Sequence, residues 1–271
     1  MITSFENPKI KFLRSLMSPQ GRRKKGYFIV EGFKLFREAL LSGVAIESLF
    51  YSPGSFYASV SDRKLLENTL KDSNIQTYLI SESIMASLCD TVTPQGILSV
   101  LSGEVPYYSK EIDFFNEIWL LAFEVQDPGN LGTIIRTADA AGVAGIFLSP
   151  GSADVTNPKV LRATMGSFFH MKLFKLKDTE SFILTSKKKG VIFISTSISC
   201  GSDYFQMQYS YPLVLIIGNE SHGLTDKIIS LSDFTVTIPI YGRAESLNVG
   251  VASGIILYEI VRQKRNVPFR F

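Results

Sequence analysis

Cysteine and histidine are scarce in this chain of 271 residues, which carries two of each. Cys89 and Cys200 lie far apart and form no Cys-x-x-Cys pair, so no disulfide framework is expected, and the pattern suits a reducing, cytoplasmic compartment. His170 and His222 are too few, with no cysteine beside them, to suggest a zinc site, and no metal is expected. No apolar run approaches the ~18 residues of a membrane span. The opening MITSFENPKIKF lacks the apolar core of a secretory signal. Three sequence signatures are also missing. Without G-x-G-x-x-G after a strand or G-x-x-x-x-G-K-[ST], a nicotinamide dehydrogenase or a P-loop enzyme is disfavoured. Without a G-x-S-x-G elbow, so is a serine hydrolase.

What is present is an ordinary globular composition, 45% hydrophobic and 20% charged, long enough for one large or two smaller domains. The net charge of +3 is unevenly spread. Residues 1–37 hold nine Lys or Arg against Glu6 and Glu31, a local +7, so the remainder is net acidic. Clustered positive charge on a near-neutral chain suits a polyanion, or merely a solvated face. Its densest part is the basic segment GRRKKG, read as a loop, with Arg22, Arg23, Lys24 and Lys25 as candidate nucleic-acid contacts.

Strand-like and helix-like segments alternate almost throughout, which argues an α/β fold. NPKIKFLRSL opens a helix after an Asn-Pro turn, and YFIVEG reads as a buried strand. GFKLFREALLSG is amphipathic, with Phe33, Phe36 and Leu40 on one face, and stops at Gly43. IESLFYS, IQTYLI and GILSVL follow as strands, with helical segments near 61–70 and 81–88. The polar stretch around Pro106 is the expected linker, dividing a small N-terminal domain (1–103) from a larger one (117–271) across residues 104–116. The second domain begins at IWLLAFEV, apolar enough for a strand buried on both faces. AGIFLS, GVIFIST and PLVLIIGNE look like further parallel core strands, and TVTIPI like one nearer an edge. A long helix over 246–265 closes the chain.

Open α/β sheets bind ligands beyond the carboxyl ends of their strands. Three such ends carry unusual polar residues: DPGNLGTIIRTADAAG, GNESHG and PIYGRAESLN. In the first, Asn130 can cap a helix, and Arg136 shares a small, polar face with Thr133, Thr137 and Ala140, opposite Ile134, Ile135 and Ala138. There Arg136 either awaits a phosphate or carboxylate, or pairs with Asp139 three residues on. Glu220 either orients a partner or caps the helix after Gly223. Ser246 suits the N-cap of the last helix, with Asn248 in its first turn.

Taken together, NLGTIIRTADAAG, LIIGNESHGL and IPIYGRAESLNVGVASG resemble the three motifs of the SpoU (TrmH-type) RNA 2′-O-ribose methyltransferases of the SPOUT superfamily. NPKIKFLRSL, YFIVEG and TPQGIL resemble the small ribosomal-protein-like RNA-binding domain that often precedes them. The resemblance implies a mostly parallel sheet whose C-terminal part threads a deep trefoil knot, a homodimer, and S-adenosyl-L-methionine as methyl donor. It implies donor contacts from Gly218, Ile238 and Leu247, with Thr196 near the adenine. It assigns Asn130, Arg136, Glu220, Ser246 and Asn248 to catalysis on an RNA ribose, with ribosomal RNA expected ahead of transfer RNA. A non-catalytic RNA-binding protein on the same fold is the rival reading. Two positions depart from the family pattern, Gly250 and Thr164, where serine is usual.

Overall fold

The computed structural model describes residues 1–53, 59–71, 75–89, 91, 93–109 and 112–265. The chain forms two compact units. The first comprises Met1–Glu104 and Asp154–Phe169, the second Val105–Ala153 and His170–Phe271. One boundary falls at Glu104/Val105, near the anticipated cut, and the segment Asp154–Phe169 groups with the first unit.

In the first unit the elements run α1 (Pro8–Leu16), α2 (Pro19–Lys25), β1 (Tyr27–Glu31), α3 (Phe33–Ser42), β2 (Ile46–Tyr51), α4 (Val60–Lys71), β3 (Gln76–Leu79), α5 (Glu82–Leu88) and β4 (Ile97–Ser102). The four strands form a mixed sheet in the order β1-β4-β2-β3. Helix α1 begins where Asn7 accepts from the Lys9 N–H and Pro8 fills the first turn. Its Ile10, Leu13 and Leu16 are buried with Ile84, Met85 and Leu88 of α5 against Ile29, Leu98 and Val100 of the sheet. Phe33 and Phe36 of α3 are buried as their spacing requires, and α3 ends on left-handed Gly43 (φ 72°).

The basic segment is helical. Ser18 caps α2, Pro19 opens it and Gly26, at φ 67°, closes it. Serine, proline and glycine stood at these positions in the sequence, and the charge run obscured them. Arg22 is 3% exposed. Its guanidinium donates to the Leu16 and Met17 carbonyls at 3.0 and 2.9 Å and to Asp154 Oδ2 at 3.1 and 2.7 Å. Arg22 therefore ties the end of α1 to the returning segment and is withdrawn as an RNA contact. Burial acts to raise the Asp154 carboxyl, but bonds from Thr156 and Arg22 prevail and hold it below the ordinary range. Arg23, Lys24 and Lys25 remain exposed.

This division yields a paired expectation. Arg22→Ala should lower unfolding stability by about 3 kcal/mol, the scale for removing one partner of a buried ion pair. Neutralising Arg23, Lys24 and Lys25 should leave the denaturation midpoint alone and flatten the salt dependence of binding to the RNA that the resemblance implies by about 2 log units per log unit. Denaturant titrations and binding at several salt concentrations check both halves.

The second unit contains β5 (Ile118–Ala122), α6 (Pro128–Ala140), β6 (Gly145–Leu148), β7 (Leu173–Lys175), α8 (Thr179–Lys187), β8 (Ile192–Thr196), β9 (Ser202–Asp203), β10 (Leu213–Ile217), α9 (Asp226–Leu231), β11 (Phe234–Thr237) and α10 (Val249–Arg265); α7 (Pro158–Thr164) lies in the segment that joins the first unit. Its seven strands follow the order β7-β6-β5-β10-β8-β11-β9, and every recorded pairing is parallel. β5 and β10 are buried along their whole length, as continuous apolar runs require in a sheet covered on both faces. The stretch expected as a linker is not free of the fold. Tyr108 and Phe114 pack among Trp119, Phe147 and Phe182 of the second core; residues 110 and 111 lie outside the described residues.

Candidate active site

Because β5, β10, β8 and β11 run parallel, the loops after them emerge at one edge of the sheet. Three of these loops are joined by side chains. After β5, Asp127 caps α6 by accepting from the Asn130 N–H at 2.7 Å, with Pro128 in the first turn. The cap is thus Asp127, three residues before the position expected from Asn130. That shift frees the Asn130 amide. Its Nδ2 donates to Glu220 Oε1 at 3.2 Å, and its Oδ1 accepts from Asn248 Nδ2 at 2.8 Å.

Glu220 reaches across from the turn after β10. Its two carboxylate oxygens accept the N–H groups of Gln126 and Asp127 at 3.1 and 3.0 Å. Partial burial works to raise this carboxyl, but those backbone bonds, one from its own N–H and the Asn130 amide lower it overall. Glu220 does not cap the following helix; Thr225 does. The turn itself is held by Asn219, a residue not singled out from the sequence. Its Nδ2 donates to the Glu124 carbonyl at 2.7 Å, and its Oδ1 accepts from the Ser221 and His222 N–H groups at 2.8 and 3.3 Å. A buried asparagine between an apolar strand and Glu220 was the available signal. Gly218 is sterically required, since a Cβ there would sit 2.5 Å from the Gly223 carbonyl carbon.

The third loop enters α10 through Asn248, whose Oδ1 accepts from the Gly250 and Val251 N–H groups at 2.9 and 3.3 Å. Asn248 is therefore the cap, and the expectation for Ser246 is corrected: Ser246 is exposed, two residues before that cap. One amide both caps α10 and holds Asn130. Gly250 is buried, and a Cβ on it would lie 2.9 Å from Thr133 Cγ2 of α6. One turn later a Cβ on Gly254 would be 3.3 Å from Thr137 Cγ2. The two glycines let α10 lie close along the threonine face of α6, so the departure at Gly250 suits this chain's own packing. Gly250→Ala should cost about 1–3 kcal/mol through overpacking, and Thr133→Ala in the same chain should recover most of it; thermal unfolding of the single and double variants measures this.

Arg136 lies on the exposed side of α6, while Ile134, Ile135 and Ala138 are fully buried. Among the described residues it makes no ion pair. Asp139, the partner that would have made it an ordinary surface arginine, faces His170 Nδ1 at 3.4 Å instead. His222 approaches Glu124 at 3.6 Å, at the back of the turn. Thr196 ends β8 and donates to the Ile216 carbonyl at 3.0 Å. Gly218, Ile238 and Leu247 lie outside helices and strands, and their backbone groups make no bond to other backbone groups among the described residues. Main-chain donors and acceptors free of backbone partners on these two loops, after β10 and after β11, suit a nucleoside with polar edges. Among the described residues no group of acids, histidines and cysteines is placed to hold a metal.

The chain is similar to known proteins over most of its length. Residues 117–258 match the SpoU rRNA Methylase family, and residues 7–99 match the MRM3-like substrate binding domain. The 23S rRNA (guanosine(2553)-2′-O)-methyltransferase RlmP of Bacillus subtilis is 35% identical over 96% of this chain and 98% of its own. An AdoMet-bound rRNA methyltransferase from Sinorhizobium meliloti superposes with a TM-score of 0.84 at 32% identity, covering 99% of this chain and 98% of that one. The SpoU methyltransferase AviRb from Streptomyces viridochromogenes, in complex with AdoMet, gives 0.83 at 26% identity over 96% of this chain and all of that one.

Proposed function

We propose the following reading of a chain that belongs to the SpoU rRNA methylase family: it transfers a methyl group from S-adenosyl-L-methionine to a ribose 2′-hydroxyl of RNA, and its substrate is ribosomal RNA. The observation that carries it is the bonded line Glu220–Asn130–Asn248, which joins three strand-end loops, with an unpaired Arg136 further along α6, the helix whose first turn holds Asn130.

The donor, when bound, supplies an electrophilic methyl on a sulfonium that leaves as neutral S-adenosylhomocysteine. The unengaged main-chain groups of Gly218, Ile238 and Leu247 would hold it, with Thr196 beside the adenine. The chain's own work is then to orient the hydroxyl so that, as the methyl arrives, its proton passes to the neighbouring phosphate of the RNA or to water. Asn130, fixed from both ends, presents a set polar edge to the ribose. A guanidinium keeps its proton at physiological pH, so Arg136 acts as a clamp on the ribose-phosphate rather than as the proton acceptor. Ser246, exposed and uncommitted in the third loop, serves as a further contact to the RNA.

Several further features belong to the same proposal. The first unit, which contains the stretch similar to a substrate binding domain, holds RNA through Arg23, Lys24 and Lys25. The second unit is knotted, in keeping with a chain that returns from β8 to set β10 between β5 and β8 and then leaves to form β11 beyond them. The protein works as a homodimer, for which the exposed Val251 and Tyr258, seven residues apart on α10, offer an apolar face. It resides in the cytoplasm; among the described residues no helix is long and apolar enough to cross a membrane.

The test is a map of 2′-O-methylation on total RNA with and without the gene, beside calorimetry of donor binding. One ribosomal RNA position should lose its methyl group in the strain without the gene, and donor binding should release heat. An unchanged map, or no heat from folded protein, overturns the reading.

A further inference from the structure

Away from the three loops, the second unit carries an aromatic ring flanked by two cations. Residues 106–108 pair alongside β7. The Tyr108 N–H donates to the Lys175 carbonyl and the Lys175 N–H to the Pro106 carbonyl, each at 2.8 Å. Extended pairing sends successive side chains to opposite faces. Tyr108 turns into the core against Phe147 and Phe182, while Tyr107 turns outward and is 56% exposed. On β7 and just beyond it, Leu173 and Leu176 are buried, and the lysines fall between and after them in KLFKLK. Lys175 Nζ and Lys177 Nζ lie over the Tyr107 ring, 5.9 and 5.6 Å from its centre, and part of the ring stays exposed beside them. Neither ammonium has an ion pair among the described residues. The nearest acid in sequence, Asp178, is engaged at the start of α8 with Ser181 and the Glu180 N–H.

We propose that Tyr107, Lys175 and Lys177 form a second RNA contact, in which an unpaired base takes the exposed part of the Tyr107 ring and its flanking phosphates meet the two ammonium groups beside it. This rests on the reading of the protein as an RNA methyltransferase. A half-exposed ring beside ammonium groups that lack an ion pair among the described residues is the combination that takes single-stranded nucleic acid, because every base has a face to stack and every linkage a charge to neutralise. A duplex offers only the charge, since its bases are already stacked. The structure thus assigns this edge to a single-stranded stretch of the substrate.

The experiment uses the full chain and a labelled 12-nucleotide oligoadenylate, with a 12-base-pair RNA duplex and a polyglutamate peptide as comparisons. Tyr107→Ala should weaken oligoadenylate binding roughly 5- to 100-fold, in line with the worth of one stacked base, and Tyr107→Phe should bind as wild type. Lys175→Gln with Lys177→Gln should reduce the salt slope by about 1.4, or about 0.7 for each single-strand phosphate no longer neutralised. Unaltered oligoadenylate binding by folded Tyr107→Ala overturns the proposal. So does an equal loss on the duplex, or polyglutamate binding as tight as RNA and equally sensitive to the variants. Methylation of ribosomal RNA from a strain lacking the gene separates the two readings. Wild-type methylation with an indifferent Tyr107 removes only this second RNA site, whereas its absence removes the methyltransferase reading.

Discussion

Arg136→Ala should lower single-turnover methylation by about 10²–10³-fold, the effect of deleting one preorganised charge at a reacting centre, while donor binding stays unchanged by calorimetry. The argument is one of availability. An arginine three residues before an aspartate on a helix ordinarily spends its charge on that neighbour. Here Asp139 is turned to His170, so the guanidinium faces solvent unpaired, on the same helix as Asn130. Arg136→Lys discriminates the two roles considered for it. A clamp should keep a good part of its effect with an ammonium in place, and the RNA dissociation constant should rise modestly. If Arg136 accepted the proton, the lysine variant should instead gain rate steeply with pH, because a lysine amine titrates well below a guanidinium. Wild-type rates in both variants would remove Arg136 from the mechanism.

Glu220→Ala should abolish most methylation with little loss of global stability. Its carboxylate gathers the Gln126 and Asp127 N–H groups and the Asn130 amide, and nothing nearby replaces it. Without it the turn before α6 loses two acceptors and Asn130 loses one of its two fixed ends, so a fall of about 10²-fold is expected from misplacement near the chemistry alone. Glu220→Gln keeps an acceptor oxygen but brings N–H donors toward a group of donors, and should recover little. The pH dependence follows from the depressed carboxyl. The contribution of Glu220 is fully present above the ordinary glutamate value of about 4.3 and is lost as pH falls through its lower folded value. The site should therefore stay assembled through mildly acid conditions and come apart only below them, as protection of the Gln126 and Asp127 amides from exchange would report.

The face of α6 was legible in the sequence, since Ile134, Ile135 and Ala138 recur at helical spacing and are buried. So were the three loops, because each follows an apolar strand and carries polar residues that no core would use. The caps were less so. Asn130 and Ser246 have the chemistry of caps, and only the backbone reveals that Asp127 and Asn248 occupy the positions. Arg22 was misread because charge in a basic run looks solvated, while its partner Asp154 stands 132 residues away. Strand order was out of reach for a similar reason. β10 is apolar along its whole length, and nothing local says that it enters between β5 and β8.

The bond between Asn248 and Asn130 has a bearing on synthesis. Every strand of the seven-stranded sheet, through β11 at Thr237, precedes Asn248 in the chain. A ribosome therefore makes the whole sheet, and every residue of the first two loops, before it makes the amide that completes Asn130's pairing and starts α10. A polypeptide ending short of residue 248 lacks both that amide and the helix whose Ile256, Leu257 and Ile260 are buried, so its reactive corner lacks one wall. Methylation should therefore await the last helix, and a chain truncated before residue 248 should leave RNA unmarked.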